Sequence, residues 1–286
     1  MMPLKTTPSL TLAIPASFTY DIPHSREQTN RVGTIARAAA TFRVENIIIY
    51  RDKPDEEQSR EIEFVSTLLH YIETPQYLRK LLFPSDPILA YAGILPPLRT
   101  PHHPLEKRSS KLKLGEFREG VVTGKRRGGA EIEIGVERPA FLQQPLSRGS
   151  RVTVAITRIG HQGVRVRRVE LSEIGVYWGF RVSYVNPTLG EAIGKSLFDL
   201  VVTTSRLGKP LTKGFEEIRE RWRRSQNALI AFGSPREGLN KIMAKEGLDL
   251  DEVSDFVVNT IPQQGVKAVR TEEAVWATLA VFNVFV

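Results

Sequence analysis

Continuous apolar runs and amphipathic stretches take turns along both ends of the chain. LTLAIPA (Leu10 to Ala16) predicts a strand, Arg26 to Phe42 a helix, NIIIY (Asn46 to Tyr50) a second strand, and Glu57 to Ile72 and Tyr77 to Leu82 two more helices. The carboxyl-terminal part repeats the alternation. FRVSYV precedes a helix over Leu189 to Phe198, LVVTTS one over Thr212 to Arg224, and ALIAFG one over Arg236 to Glu246. DFVVNTI precedes a last helix from Thr271 to the end. Strands that are apolar on both faces and separated by helices predict a buried, mostly parallel sheet, hence an α/β fold.

The middle of the chain has another period. FREGVVTGKR, AEIEIGV, SRVTVAITRI and GVRVRRVEL alternate apolar and polar positions, as half-buried strands do. Gly128 and Gly129, the turn region Pro139 to Pro145, and Gly160 to Gly163 separate them. Four or five short strands in so small a span predict a β-barrel, and an OB-like barrel is the economical form. The Pro-rich stretch Ile94 to Pro104 reads as a stiff linker. The expected organisation is therefore an α/β domain built from residues 1–96 and 172–286, with a barrel domain of residues 105–171 inserted in it.

Composition sharpens this picture. The chain has 286 residues, 41% hydrophobic and 25% charged, in the range of globular proteins. It contains no cysteine, which excludes disulfides, thiolate catalysis and thiolate-ligated metals; five scattered histidines argue against a metal site. No apolar run is long enough to span a membrane, and the first residues read as a strand rather than a signal peptide, so a cytoplasmic location is expected. The net charge is +8, and all of it falls between Leu105 and Leu171, where 15 Lys and Arg face 7 acids. Outside that segment the charges cancel. Such segregation points to a polyanion-binding module, with a solvated basic surface as the alternative.

The usual enzyme signatures are missing. Gly190, Gly194, Lys195 and Ser196 approximate a phosphate-binding loop, but three residues rather than four separate the glycines. No G-x-G-x-x-G follows a strand, and no G-x-S-x-G or H-E-x-x-H occurs. The carboxylate pairs Glu216/Glu217 and Glu272/Glu273 read as exposed or first-turn helix charges.

Three places stand out. Asn30, Gly33 and Arg37 share one side of the first helix, opposite Val32, Ile35, Ala39 and Phe42. Glycine inside a helix costs up to about 1 kcal/mol relative to alanine, so close approach of another backbone is expected at Gly33. The strand ALIAFG opens directly into the loop Gly233 to Gly238, which can present backbone groups to a ligand. Finally, a Pro- and Gly-bearing loop, Ile261 to Gly265, leads to a nearly all-apolar helix with Thr271 as its expected N-cap. A helix apolar all round must be buried, within the domain or against a partner.

In this order, the three resemble the motifs of the SPOUT family of RNA methyltransferases: Asn-x-x-Gly-x-x-x-Arg, a Gly-rich loop, and an Ile-Pro-x-x-Gly segment before the last helix. The run PQQGVKAVRTEEAVWATLAVFN and the basic β insert resemble most the archaeal and eukaryotic branch that carries an OB-like insertion. The resemblance spans both α/β flanks. It implies a trefoil-knotted α/β fold, S-adenosylmethionine as cofactor, no metal, and a homodimer whose active site draws on both chains. By position it makes Arg37 the catalytic candidate. It assigns Thr203, Thr204, Gly233, Gly238, Ile261, Pro262, Gly265, Val269, Arg270 and Thr271 to the cofactor. Asn30 falls to the RNA substrate. In the basic segment, Lys125, Arg126 and Arg127 beside Gly128 and Gly129 read as a loop that follows an RNA backbone, and the strand-borne Arg151, Arg158, Arg165 and Arg167 as an RNA-facing stripe; the segment's only aromatics, Phe117 and Phe141, read equally as core. The acidic residue common early in that family's second loop is absent; Glu237 comes late, beside Gly238.

The resulting expectation is methyl transfer to RNA, at uridine N3 or at a ribose 2′-hydroxyl. Arg37 would stabilise the negative charge that the acceptor develops, since no His or carboxylate in the motifs stands out as a general base. Two readings from other classes remain: an RNA-binding or ribosome-assembly factor that keeps the fold without turnover, and a DNA-binding module dominated by the barrel.

Overall fold

The computed structural model describes residues 3–160, 163–183, 187–194 and 197–286. The end of the expected strand FRVSYV, and Lys195 and Ser196 of the phosphate-loop-like run, lie outside the described residues. In chain order come β1 (Ser9–Pro15), α1 (Ser25–Thr41), β2 (Asn46–Tyr50), α2 (Ser59–Glu73) and α3 (Gln76–Leu82). Then follow β3 (Phe117–Arg126), β4 (Gly129–Glu133), β5 (Ala140–Leu142), β6 (Arg151–Gly160), β7 (Gly163–Arg168) and β8 (Arg181–Ser183). The remainder is α4 (Leu189–Ile193), β9 (Leu200–Pro210), α5 (Phe215–Arg224), β10 (Asn227–Ala231), α6 (Leu239–Lys245), α7 (Leu250–Val253), β11 (Phe256–Asn259) and α8 (Thr271–Phe282). These form two units. The α/β unit is Lys5–Ile72, Ile88–Pro96 and Gly179–Val286; the other holds residues 3–4, Glu73–Pro87 and Pro97–Trp178.

The sheet of the α/β unit has the order β11-β9-β10-β1-β2-β8, every pair parallel. Its central strands are covered on both faces, so Leu12, Ala13, Ile14, Ile47, Ile49 and Ala228 to Ala231 are all fully buried. On one face α4, α6 and α7 close a core of Leu189, Leu239, Ile242, Met243 and Leu250 over Ala13 and Leu229. Elsewhere Trp222 of α5 and Phe282 of α8 pack with ring centroids 5.0 Å apart, and Phe285 completes the cluster. β9 is longer than the expected LVVTTS. Val257 of β11 pairs with Thr203 but Val258 pairs with Lys209, so Thr204 to Gly208 form an excursion between the two strands.

The expected apolar side of α1 is buried at Val32, Ile35 and Ala39 and half-buried at Phe42, but burial also takes in Arg31 and, on the expected polar side, Gly33. Gly33 is required for a reason other than the expected one. A β-carbon there would lie 2.9 Å from Leu95 Cδ2 and 3.1 Å from Pro96 Cδ, so side chains rather than a backbone press on it. In α8, one side is buried through Val275, Thr278, Leu279 and Phe282, and Trp276 meets Phe42 edge-on at 5.5 Å. The other side is only partly covered among the described residues: Ala274, Ala277 and Val281 are half-buried, Ala280 is exposed, and Val284 just beyond the helix is 68% exposed.

The second unit contains a closed five-stranded barrel, β3-β4-β5-β7-β6, antiparallel except for β5 against β7. Alternation sends Val152, Val154, Ile156, Val164, Val166 and Ile132 inward. The region Pro139 to Pro145, expected as a turn, supplies β5. Arg151, expected on an RNA-facing stripe, is committed elsewhere. Its guanidinium binds Glu73 bidentately at 2.6 and 3.0 Å and Glu119 at 2.8 Å. The His102 and His103 rings both meet the Glu73 carbonyl, at 2.9 and 2.6 Å.

Candidate active site

The parallel sheet reverses its winding about β9: the chain passes to β10 on one side and then returns to β11 on the other. In open α/β sheets such a reversal opens a crevice at the carboxyl ends of the strands. Here a cavity of about 390 Å³ lies there, lined by the Thr204–Leu207 excursion, the loop after β10, the loop after β11 and the first turn of α8.

Local hydrogen bonds hold these loops in place. Thr204 Oγ1 donates to the Ala231 carbonyl at 2.9 Å, joining the excursion to β10. Asn259 Nδ2 donates to the Arg206 carbonyl at 2.9 Å, and Arg206 Nη1 to the Lys267 carbonyl at 3.0 Å, joining the excursion to the loop after β11. The Gly233–Gly238 loop is closed by Ser234 N–H donating to the Glu237 carbonyl at 2.9 Å. Beneath it, the Tyr50 hydroxyl donates to the Phe232 carbonyl at 2.6 Å. Burial, with Asp52 and Glu246 adding to it, pushes that hydroxyl well above its usual pKa, so it stays a donor.

Of the sequence-expected residues, Thr204, Gly233, Gly238, Ile261, Val269 and Thr271 line this cavity together. Thr203 does not; it is fully buried, with its hydroxyl 3.0 Å from Ser254 Oγ. Pro262 and Gly265 are exposed and do not line the cavity. Arg270, not Thr271, is the N-cap of α8, and its N–H donates to Glu273 at 2.9 Å. Thr271 is unavailable as a cap because its hydroxyl donates to the Gly233 carbonyl at 3.2 Å. Arg37 is half-buried on α1 and does not line the cavity. Asn30 is exposed and lines a separate depression with Thr34, Arg270 and Glu272.

Other features escaped the sequence. Arg206, Arg236, Lys241 and Lys267 surround the cavity, while Glu237 is the one carboxylate among its described lining residues and pairs with Lys245. The rim is therefore cationic. A count of basic residues within the loops would have found it; the net charge of the flanks, being zero, hid it. Glu272 is a first-turn residue of α8, as expected, but it is not exposed. It is buried beside Arg31, with Oε1 3.1 Å from Nε, and Arg31 also binds Asp21 at 2.5 Å and the Phe18 carbonyl at 3.1 Å. Burial raises the Glu272 carboxyl pKa.

On the barrel, Lys125, Arg126 and Arg127 are exposed at the β3–β4 hairpin, whose register pairs Arg126 with Gly129. Of the proposed stripe, Arg158 and Arg165 remain exposed. Arg167 is engaged with Glu173 at 2.9 Å.

Residues 9–282 match the family described as "Putative RNA methyltransferase". An uncharacterized protein of Halobacterium salinarum is 35% identical over 288 residues, covering 93% of this chain and 95% of that one. The 28S rRNA (uridine-N(3))-methyltransferase of Homo sapiens is 31% identical over 301 residues, covering 95% of this chain and 77% of that protein. The enzyme of the same name from Mus musculus is also 31% identical, at 95% and 75% coverage. The matched span takes in all three loops around the cavity, and the chain belongs to this family of RNA methyltransferases.

Proposed function

We propose that the protein methylates N3 of a uridine in large-subunit ribosomal RNA, using S-adenosylmethionine bound in the cavity at the ends of β9, β10 and β11. The observation that carries this reading is the convergence of three loops on one cavity within the span shared with relatives named for uridine-N3 methylation. The lining suits that cofactor. Leu207, Phe232, Ile261, Val269 and Ala274 offer apolar walls for a flat heterocycle, and Thr204, Ser205, Thr271 and the loop backbone offer polar partners. When bound, the cofactor supplies an already activated methyl group.

What remains for the chain is to hold the acceptor and favour its nucleophilic form. Uridine N3 attacks only after losing its proton, and the charge then spreads to the neighbouring oxygens. The Arg37 guanidinium, permanently protonated, stabilises that charge. Arg37 lies away from the cavity of its own chain, so the reading includes a homodimer in which one protomer's Arg37 serves its partner's cavity. The partly covered side of α8, with Val284 68% exposed, supports such a partner. It also includes the trefoil-knotted path of the SPOUT family and an OB-like role for the barrel, which brings RNA in through Lys125, Arg126 and Arg127.

The test is incubation of the purified protein with ribosomal RNA and S-adenosylmethionine carrying a deuterated methyl group, followed by mass spectrometry of the nucleosides. Labelled N3-methyluridine is expected. A labelled ribose would move the acceptor to the 2′-hydroxyl. Cofactor binding without any label in RNA would leave an assembly factor instead.

A further inference from the structure

The barrel's outer surface carries a row of side chains fixed by strand register. Glu131 of β4 pairs with Phe141 of β5, Phe141 with Arg165 of β7, and Arg165 with Arg158 of β6. Ile132, Leu142, Val164 and Val166, their sequence neighbours, point into the core, so Glu131, Phe141 and Arg165 stand outside; Arg158 follows a bulge in β6, and its neighbour Ile159 packs against the core. Phe141 is half-buried, Arg158 and Arg165 are exposed, and the Arg126 guanidinium lies 5.7 Å from the Phe141 ring centroid.

Two details mark this row as more than a solvated face. The ring of Phe141 lies across Gly129, where a β-carbon would come within 3.0 Å of its Cζ and 2.0 Å of the Leu142 carbonyl oxygen. Any other residue at position 129 would push first against the β5 backbone and then against the ring. In addition, Arg158 and Arg165 are paired on neighbouring strands just past the bulge in β6, and like charges so placed repel, a repulsion that a bound phosphate would relieve.

We propose that this row is a binding site for single-stranded RNA, in which one base stacks on Phe141 beside Arg126 and the adjoining phosphates sit on Arg165 and Arg158. Aromatic rings and guanidinium planes stack on unpaired bases, which a duplex keeps inside. Glu131 flanks the ring on the β4 side, away from Arg165 and Arg158. Its charge disfavours phosphate there, which keeps the backbone on the side of Arg165 and Arg158, and its carboxylate accepts from an N–H of the stacked base. The inference rests on the reading that the barrel delivers RNA, and it adds the strandedness of the ligand and the residue that takes the base.

The experiment uses the full-length protein and a fluorescent oligouridylate, free or paired with oligoadenylate, with anisotropy followed across salt concentrations. Single strands are expected to bind more tightly than the duplex. Phe141→Ala and Phe141→Leu should weaken single-strand binding roughly ten-fold with the salt slope unchanged, and Phe141→Trp should retain it. Replacing Arg158 and Arg165 together by Ala should lower the salt slope by about 1.4. Phe141→Leu keeps an apolar side chain over Gly129, so a folded variant is available whatever Phe141→Ala does. Wild-type affinity in Phe141→Leu, or a preference for duplex, overturns this inference alone. Absence of RNA binding by the unmodified protein overturns the delivery reading and this site with it.

Discussion

The Thr271 hydroxyl donates to the Gly233 carbonyl across 3.2 Å, tying the first residue of α8 to the loop after β10. The next residue, Glu272, meets Arg31 of α1 at 3.1 Å. The first turn of α8 thus connects the cavity's loops to the helix that carries Arg37.

Thr271→Val should remove the first of these links. A lost hydrogen bond of this kind is worth about 1 kcal/mol, so S-adenosylmethionine affinity should fall roughly five-fold. Titration calorimetry on the folded variant measures it; an unchanged affinity would show that the link does not shape the cavity.

Of the two glycines that the resemblance assigns to the cofactor loops at 233 and 265, only Gly233 should be sensitive to a side chain. A β-carbon at Gly233 would lie 3.0 Å from the Glu237 carbonyl oxygen and 3.2 Å from Gly238 Cα, whereas at Gly265 nothing lies within 4 Å. Gly233→Val should weaken cofactor binding by about ten-fold or more, and Gly265→Val should bind like wild type. The reverse order in a side-by-side titration would refute the assignment of the cavity.

Arg37→Ala should lower the rate of methyl transfer roughly a hundredfold or more while leaving cofactor affinity in place. Single-turnover kinetics on ribosomal RNA separates the two effects. Full activity would remove Arg37 from the mechanism.

The barrel unit should be acid-sensitive. Burial alone would raise the Glu73 carboxyl, but Arg151 and His102 outweigh it and hold it well below the usual range. Burial, reinforced by His102, pushes His103 down to about 3. Both groups bind protons more readily in the unfolded chain, His103 near 6.5 and Glu73 near 4.5. Stability should therefore fall as pH drops below about 6.5 and fall further below about 4.5. Glu73→Gln should cost about 2 kcal/mol at neutral pH, because it removes the charge from one of the two buried carboxylates that hold Arg151, Glu119 being the other. Urea melts at several pH values would show both effects, and flat stability from pH 7 to 4 would contradict them.

Changing Lys125, Arg126 and Arg127 together to Ala should weaken RNA binding and lower its salt slope by about 2, with cofactor affinity unaltered. An unchanged slope would mean that this hairpin touches no phosphate.

The sequence by itself determined the architecture's broad terms. Strands buried on both faces must be continuously apolar, and strands of a barrel must alternate; both periods are written in the chain, and they separated the α/β unit from the barrel. The order of the motifs around Arg37, Gly233 and Ile261, and the placement of all excess charge in the barrel, were legible in the same way. Tertiary structure alone decided which of these residues act together. Arg151 looked like an RNA contact until Glu73, 78 residues away, was brought within 2.6 Å of it. Thr271 looked like a cap until the Gly233 carbonyl claimed its hydroxyl, and Phe141 was equally readable as core until register set it outside beside Arg165. The physical reason is common to all three. Local periodicity reports which side of an element is buried, but a hydrogen bond or ion pair depends on separation within about 3–4 Å, and distant segments reach that separation only in the folded chain.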